Sequence, residues 1–227
     1  MKELSKESLG SAIYDRVSQD LVRGKLRPNQ KVTIRGLAAA LGTSSTPVRD
    51  AVQRLLQDKA LEQRSLRDVR VPVPTMAQYQ EIAALRTELE GMAAAEAARV
   101  ATSQDIASLR RIIARNEEAI AAARWTRAAE LNQQFHFALA EVARMPMLLD
   151  ILTRLWLRMG PLIAGYYDGA KQDMVQRHHG VIAAFEAGDS DTARAEIRAD
   201  IAEGREGITR YIASFGEEFG PGSEPSR

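Results

Sequence analysis

Few stretches of a chain admit a single local fold, and residues 34–56, IRGLAAALGTSSTPVRDAVQRLL, form one of them. Ile34, Leu37 and Leu41 share one face of a short helix, and Val48, Val52, Leu55 and Leu56 recur at helical spacing on a second. Gly42 stands where the first helix must stop, because a tight turn there favours a positive φ. Ser44 or Ser45 can cap the second helix. Pro47 falls in its first turn, where a missing backbone N–H removes no intrahelical bond. The pattern predicts a helix-turn-helix. With Val48, Val52 and Leu55 turned inward, Ser45, Thr46, Arg49 and Gln53 remain on the outer side near the helix N-terminus, the part of such a motif that meets DNA.

The flanks extend this unit. Leu9, Ile13, Val17 and Leu21 recur every four residues, a first helix running to about Arg23 and stopping at Gly24, with a turn at Pro28-Asn29. After Leu61, EQRSLRDVRVPV sets strand-forming residues around a charged tip, as a two-stranded wing does, with no glycine between Ala60 and Val73. Arg64, Arg67 and Arg70 either reach phosphate or a groove, or stand as ordinary exposed charges. Through Pro74 the chain carries 14 Lys+Arg against 8 Asp+Glu, and beyond it 17 against 22. A basic domain can replace the counterions of a phosphate backbone, although such an excess also occurs on solvated surfaces. Pro72 and Pro74 bracket a stiff connector, which sets the first domain at residues 1–74.

RGLAAALGTSSTPVRDAV resembles the DNA-binding domain of the GntR family of bacterial transcription regulators. Arg35, Leu37, Ala38, Leu41, Gly42, Thr46, Pro47, Val48, Arg49 and Asp50 fit its pattern, while Ser45 stands where members commonly carry a further arginine. The resemblance implies that Arg35, Thr46 and Arg49 position and read the major groove of an operator, with the wing in support.

From Met76 the chain is rich in Ala, Leu, Arg and Glu, with only 5% aromatic residues overall, which favours helices. Six helices are expected over residues 75–215. One runs to about Ala101, one ends in the alanine run 119–123, and one holds Leu131, Phe135, Leu139 and Val142. A fourth opens at Pro146, breaks near Gly160-Pro161 and continues towards Tyr167. A fifth spans about Lys171 to Ala187, and a sixth Thr192 to about Phe215. The tail, 216–227, reads as disordered. The fold class expected is thus mainly α: a winged helix-turn-helix with a small β-wing, then an all-α bundle. The chain has no cysteine, which excludes disulfides and thiolate chemistry, and no apolar run approaching the about 18 residues of a membrane span. A reducing, cytoplasmic compartment is expected, with no membrane partner.

This arrangement resembles the FadR subfamily of GntR regulators, whose effector domain is called FCD; by helix count the shorter, VanR-like type is nearest. EIAALRTELEG, NQQFHFALAEVA and HHGVIAAFEAGD are each similar to family segments. Asn132 and His136, four apart, project from one helix face with spacing suited to two ligands on one ion. In many FCD domains this pair is Asp and His, and two histidines of the last helices complete a divalent-metal site. Counted from Gly188-Asp189, the resemblance puts His178 and Asp200 at those two positions. The set Asn132, His136, His178 and Asp200 keeps the formal ligand charge but exchanges an imidazole for a carboxylate, so zinc and nickel stay candidates and manganese gains. Otherwise His136 is a core histidine beside Phe135 and His178 a hydrogen-bonding one; adjacent His179 is a substitute ligand only.

An ion with open positions anchors an anionic ligand, and small organic acids are common effectors in the family. Arg86 can grip a carboxylate, or instead pair with Glu90 or Glu141; Tyr167, with Tyr166 and Trp156, lines the cavity or packs as core. The expected protein is a homodimeric, ligand-responsive regulator, in the repressor sense by family habit, on a pseudo-palindromic operator. Two rivals stand beside it: a metal-dependent helical enzyme, disfavoured because no nucleophile or general-base constellation is legible, and a DNA-binding dimer whose helical domain only dimerises.

Overall fold

A computed structural model describes residues 6–170 and 175–218. Helix α1 (Lys6–Val22) leads through strand β1 (Lys31–Val32) to the predicted pair α2 (Ile34–Leu41) and α3 (Ser45–Gln57). Thr33 caps α2 by accepting from the Gly36 N–H, and Gly42 ends it at φ 62°. Ser44 occupies the N-cap position of α3 but makes no side-chain cap bond. The reason is Pro47, which sits third in the helix and lacks the N–H that a capping hydroxyl most readily takes. Val48, Ala51, Val52 and Leu55 are buried against α1, whose Tyr14 hydroxyl donates to Asp58 at 2.5 Å.

Strands β2 (Glu62–Ser65) and β3 (Asp68–Arg70) form the wing, and β1 adds to β3, giving a three-stranded antiparallel sheet in the order β1-β3-β2. The wing is closed without glycine: neither Leu66 nor Arg67 takes a positive φ, and a register shift between Gln63 and Ser65 supplies the local twist.

Thr75 and Gln78 form a reciprocal capping box that starts α4 (Met76–Val100), and Thr102 and Asp105 do the same for α5 (Ser103–Ala121). Then come α6 (Trp125–Val142), α7 (Pro146–Ala170), α8 (Gln176–Ala187), α9 (Ser190–Glu203) and α10 (Arg205–Glu218). The alanines of α4 at 93–95, 97 and 98 are buried, and their small side chains let α9 lie close along it.

Two expectations are corrected. The fourth helix does not break at Gly160-Pro161: α7 runs through, and burial of every residue from Met159 to Tyr167 offsets the roughly 3 kcal/mol that an interior proline costs. The expected sixth helix is two, so seven helices rather than six follow the wing among the described residues. The division falls at Gly204, because α9 packs on α4 and α8 whereas α10 turns onto α7 and buries Ile208 and Ile212. Helix α10 also extends through Glu218, into the stretch read as tail; residues 219–227, and 171–174 at the expected start of the fifth helix, lie outside the described residues.

Leu55 has no exposed surface where α1 and α3 meet. Leu55→Ala is expected to cost about 2–5 kcal/mol in urea unfolding, as buried leucine truncations do. Arg49→Ala, on the exposed face of the same helix, should cost less than about 0.5 kcal/mol.

Candidate metal centre and nucleic-acid interface

Four helices of the bundle turn polar side chains toward one another. Helix α6 supplies His136, α8 His178, α9 Asp200, and α4 Arg86 and Glu90; all five are buried, Glu90 and His178 completely. His136 Nε2 lies 3.3 Å from Asp200 Oδ2, and His178 Nε2 3.4 Å from Asp200 Oδ1. Two ligands held about 2.1 Å from one tetrahedral ion stand roughly 3.4 Å apart, so these separations suit a shared divalent cation. Among the described residues neither ring nitrogen of His178 makes a well-formed hydrogen bond, which leaves Nε2, the one facing Asp200, available as a ligand. Its ring is fixed by stacking on Phe135, with centroids 3.9 Å apart.

The other edge of His136 faces Glu90, with Nδ1 2.6 Å from Oε2. A carboxylate behind a ligating imidazole orients the ring and leaves Nε2 for the metal. Glu90 is itself held from two more sides: Arg86 Nε donates to Oε1 at 2.6 Å, and Trp156 Nε1 donates to the same oxygen at 3.2 Å. The Arg86 guanidinium lies over the Trp156 ring, 4.4 Å from its centroid.

Charge within the cluster is balanced. Burial opposes protonation of His136, but the Glu90 and Asp200 carboxylates outweigh it and raise its pKa to about 9. Burial likewise opposes ionisation of Glu90, and the charges of Arg86 and His136 nonetheless lower it to about 2. Asp200 is held well below the usual carboxylate range, against its burial, by the two imidazoles it faces. His178 is pushed down by burial and is neutral. Two cations thus face two anions. A divalent ion replacing the His136 proton would leave one positive charge in excess, an environment suited to an anionic ligand.

Of the four expected metal ligands, the structure brings together His136, His178 and Asp200. Asn132 is buried on α6 one turn before His136. Arg86 makes the Glu90 pair that was one of its two alternatives. Tyr167 is buried farther along α7. His179 points away and contacts Glu117 at 2.8 Å on the surface. Sequence reasoning named Glu90 only as an ion-pair partner; its i, i+4 spacing from Arg86 was visible, its burial against His136 was not.

On the helix-turn-helix domain, Arg35, Ser45, Thr46, Arg49, Gln53, Arg64 and Arg67 are all exposed. Their pairing separates them. Arg64 is tied to Glu62 at 2.7 Å and Arg70 to Asp68 at 3.0 Å, whereas Arg35, Arg49 and the wing-tip Arg67 have no ion-pair partner among the described residues. Arg54, on the same helix as Arg49, is an internal strut: it lies over the Tyr14 ring at 4.1 Å and donates to Ser11 at 3.2 Å.

Comparison with known proteins adds to this geometry. The profile for bacterial regulatory proteins of the gntR family matches residues 9–71, and that of the FCD domain matches residues 81–203. This chain belongs to the GntR family of transcription regulators, in its FadR subfamily. It is 30% identical to the HTH-type transcriptional regulator McbR of Escherichia coli (strain K12), over 82% of this chain and 86% of that protein. It is 27% identical to a probable D-xylose utilization operon transcriptional repressor of Paenarthrobacter nicotinovorans, over 88% and 89%. The E. coli McbR/YncC structure superposes with a TM-score of 0.77 at 28% identity, covering 93% of this chain and 99% of that one. A putative GntR regulator from Rhodococcus sp. RHA1 shares the fold, with a TM-score of 0.75 at 22% identity over 88% and 97%. The chain is accordingly a DNA-binding transcription regulator, and its relatives are regulators rather than enzymes. No helix among the described residues is long and apolar enough to cross a membrane.

A ligating imidazole must be unprotonated, so metal uptake near pH 7.5 should release about one proton per ion, read as buffer-dependent heat in calorimetry, and affinity should rise with pH until about pH 9. In metal-free protein the sign for stability is opposite. The folded-state pKa of His136 lies above its unfolded value near 6.5, so its contribution is full below that pH and lost as pH rises through about 9. Urea unfolding in chelator at pH 6 and pH 10 checks this, with His136→Gln flattening the difference.

Proposed function

We propose that this GntR regulator acts as a homodimer that represses transcription from a pseudo-palindromic operator and is released or retained by a small carboxylate effector held near a divalent metal ion. The observation that carries the effector half is the buried cluster of His136, His178 and Asp200 with Arg86 and Glu90 behind it. His136 and His178 would contribute imidazole nitrogen and Asp200 a carboxylate oxygen, with Asn132, one turn from His136, as a fourth donor. A bound ion supplies open coordination positions for anionic oxygen; the mixed nitrogen and oxygen set suits manganese as well as zinc or nickel. Arg86, seated on Glu90, would contribute positive charge toward the effector, and Tyr167, farther along α7, is the second candidate for its binding.

The DNA half rests on the exposed cations. Arg49 and Arg35, without an ion-pair partner among the described residues, are available to phosphate and base edges, with Ser45, Thr46 and Gln53 beside them; Arg67, and Arg64 once released from Glu62, serve from the wing. Two copies would present two recognition helices to half-sites about one helical turn apart. The repressor sense follows the Paenarthrobacter relative, described as a probable operon repressor.

Metal analysis of protein purified without chelator should find about one ion per chain in wild type and none in His136→Ala. A wild-type protein that stays metal-free after exposure to manganese and zinc would sink the metal site. For DNA, Arg49→Ala should weaken operator binding by about 1–3 kcal/mol if the side chain reads a base, whereas Arg67→Ala should lower the salt dependence by about one counterion if it meets phosphate. Gel shifts across a salt series distinguish the two.

A further inference from the structure

The helix that touches the candidate metal centre is also the one on which the helix-turn-helix domain sits. Trp156, buried on α7, donates its indole N–H to Glu90, and its ring packs against both Arg86 and His136, the latter at a centroid distance of 5.6 Å. One turn later on α7 comes Gly160. A Cβ there would meet the backbone oxygens of Leu21 and Val22, at the end of α1, at 2.4 Å each. Gly24, in the left-handed region at φ 68°, meets α7 from the other side: a Cβ on it would lie 2.2 Å from that of Ala164 and 2.7 Å from the Gly160 carbonyl oxygen. Backbone touches backbone here, a contact only glycine permits.

Around this contact α1 packs on α7, with Leu21 and Val22 buried in the same core as Leu157 and Ala164, and beyond that seam the attachments are weak. On one flank Lys25 reaches Glu130 and Arg27 reaches Asp168, each at 3.6 Å, and Arg27 donates to Thr126 at 3.3 Å. Partly exposed pairs of this kind contribute little. On the other flank a cleft of about 880 Å³ opens between Gln19 of α1, with Arg23 just past its end, and Gln134 and Arg154 of α6 and α7. Helix α1, in turn, is fastened to the recognition helix α3 by Tyr14 with Asp58 and by Arg54 with Ser11 and Tyr14. The backbone contact at Gly24 and Gly160 is thus the closest approach within the packed α1–α7 seam, and with weak pairs on one side and open space on the other it is the point about which the two helices can tilt.

We infer that Trp156 is the positioning residue through which the buried Glu90–His136 pair sets the tilt of α7, and that the Gly24–Gly160 contact is the pivot that passes this tilt to the helix-turn-helix domain. The inference rests on the metal reading of His136, His178 and Asp200. A cation between His136, His178 and Asp200 would draw the His136 ring toward it, and Glu90, held at the other nitrogen of that ring, would have to follow. Glu90 is shared between His136, Arg86 and Trp156, so the indole follows. Trp156 is rigidly part of α7, and so is the glycine on which α1 rests.

The chain contains no cysteine, so spin labels can be placed without background. With Gln57→Cys on α3 and Glu118→Cys on α5, both exposed positions, and dilution into unlabelled chain, each spin pair reports one intrachain interdomain distance. Zinc added to chelator-stripped protein should shift that distance distribution. In a Trp156→Phe background, which keeps an aromatic ring and loses the N–H, calorimetry should still find one zinc per chain with less than about a tenfold loss of affinity, since the indole lies beyond the residue that supports the ligand, but the shift should vanish. Gly160→Ala should bind zinc like wild type and also lose the shift. Trp156→Phe protein that binds zinc and shifts like wild type overturns the inference, as does wild type that binds zinc without any shift. Failure of wild type to take up zinc is read separately by calorimetry and removes the metal reading together with this one.

Discussion

A fully buried carboxylate is the constraint on which the helical half of the protein depends. Glu90 has no exposed surface, and an isolated charge in such a place costs several kcal/mol even after relaxation. It is stable because Arg86, His136 and Trp156 all point at it, from α4, α6 and α7. The pairing works in both directions, since the same carboxylate keeps His136 charged although burial alone would strip its proton. Three helices are thus tied to one another by electrostatics at a point where an apolar core would tie them by contact. Buried ionic clusters of this kind are seldom worth more than apolar packing of the same volume, which makes a functional reason for this one the economical explanation.

The helix-turn-helix half follows a different logic. Its core is apolar and ordinary, built on Val48, Val52, Leu55, Val17 and Leu21. What distinguishes it is the sorting of its arginines. Arg54 and Arg70 are spent on partners within the domain, whereas Arg35, Arg49 and Arg67 stand on the exposed side without an ion-pair partner among the described residues. A cation with no protein partner gives up only water and side-chain freedom when it meets phosphate, whereas a paired one must first break its pair as well.

Much of the fold was legible because local rules agree with one another. Periodicity placed the ends of α1, α4 and α5 within a few residues of where they fall, and Gly42 stops α2 as a turn glycine does. Where local rules misled, longer contacts had overridden them. Pro161 reads as a breaker, yet packing on every side carries α7 through it. The run after Asp189 reads as one helix, but α9 and α10 serve different neighbours, which a linear pattern does not display. At the candidate site, His136, His178 and Asp200 could be nominated by resemblance, while Glu90 looked like any surface i, i+4 partner of Arg86.

The sequence by itself determined the helix-turn-helix, the wing, the helical class of the rest and which side chains of α3 stay exposed, because each depends on spacing within a short segment. Tertiary structure alone decided which polar residues are buried together, which arginines are already paired, and that α7 links the Glu90 cluster to the domain carrying the recognition helix. Those depend on which helices become neighbours, and neighbours far apart in sequence leave no local trace in either.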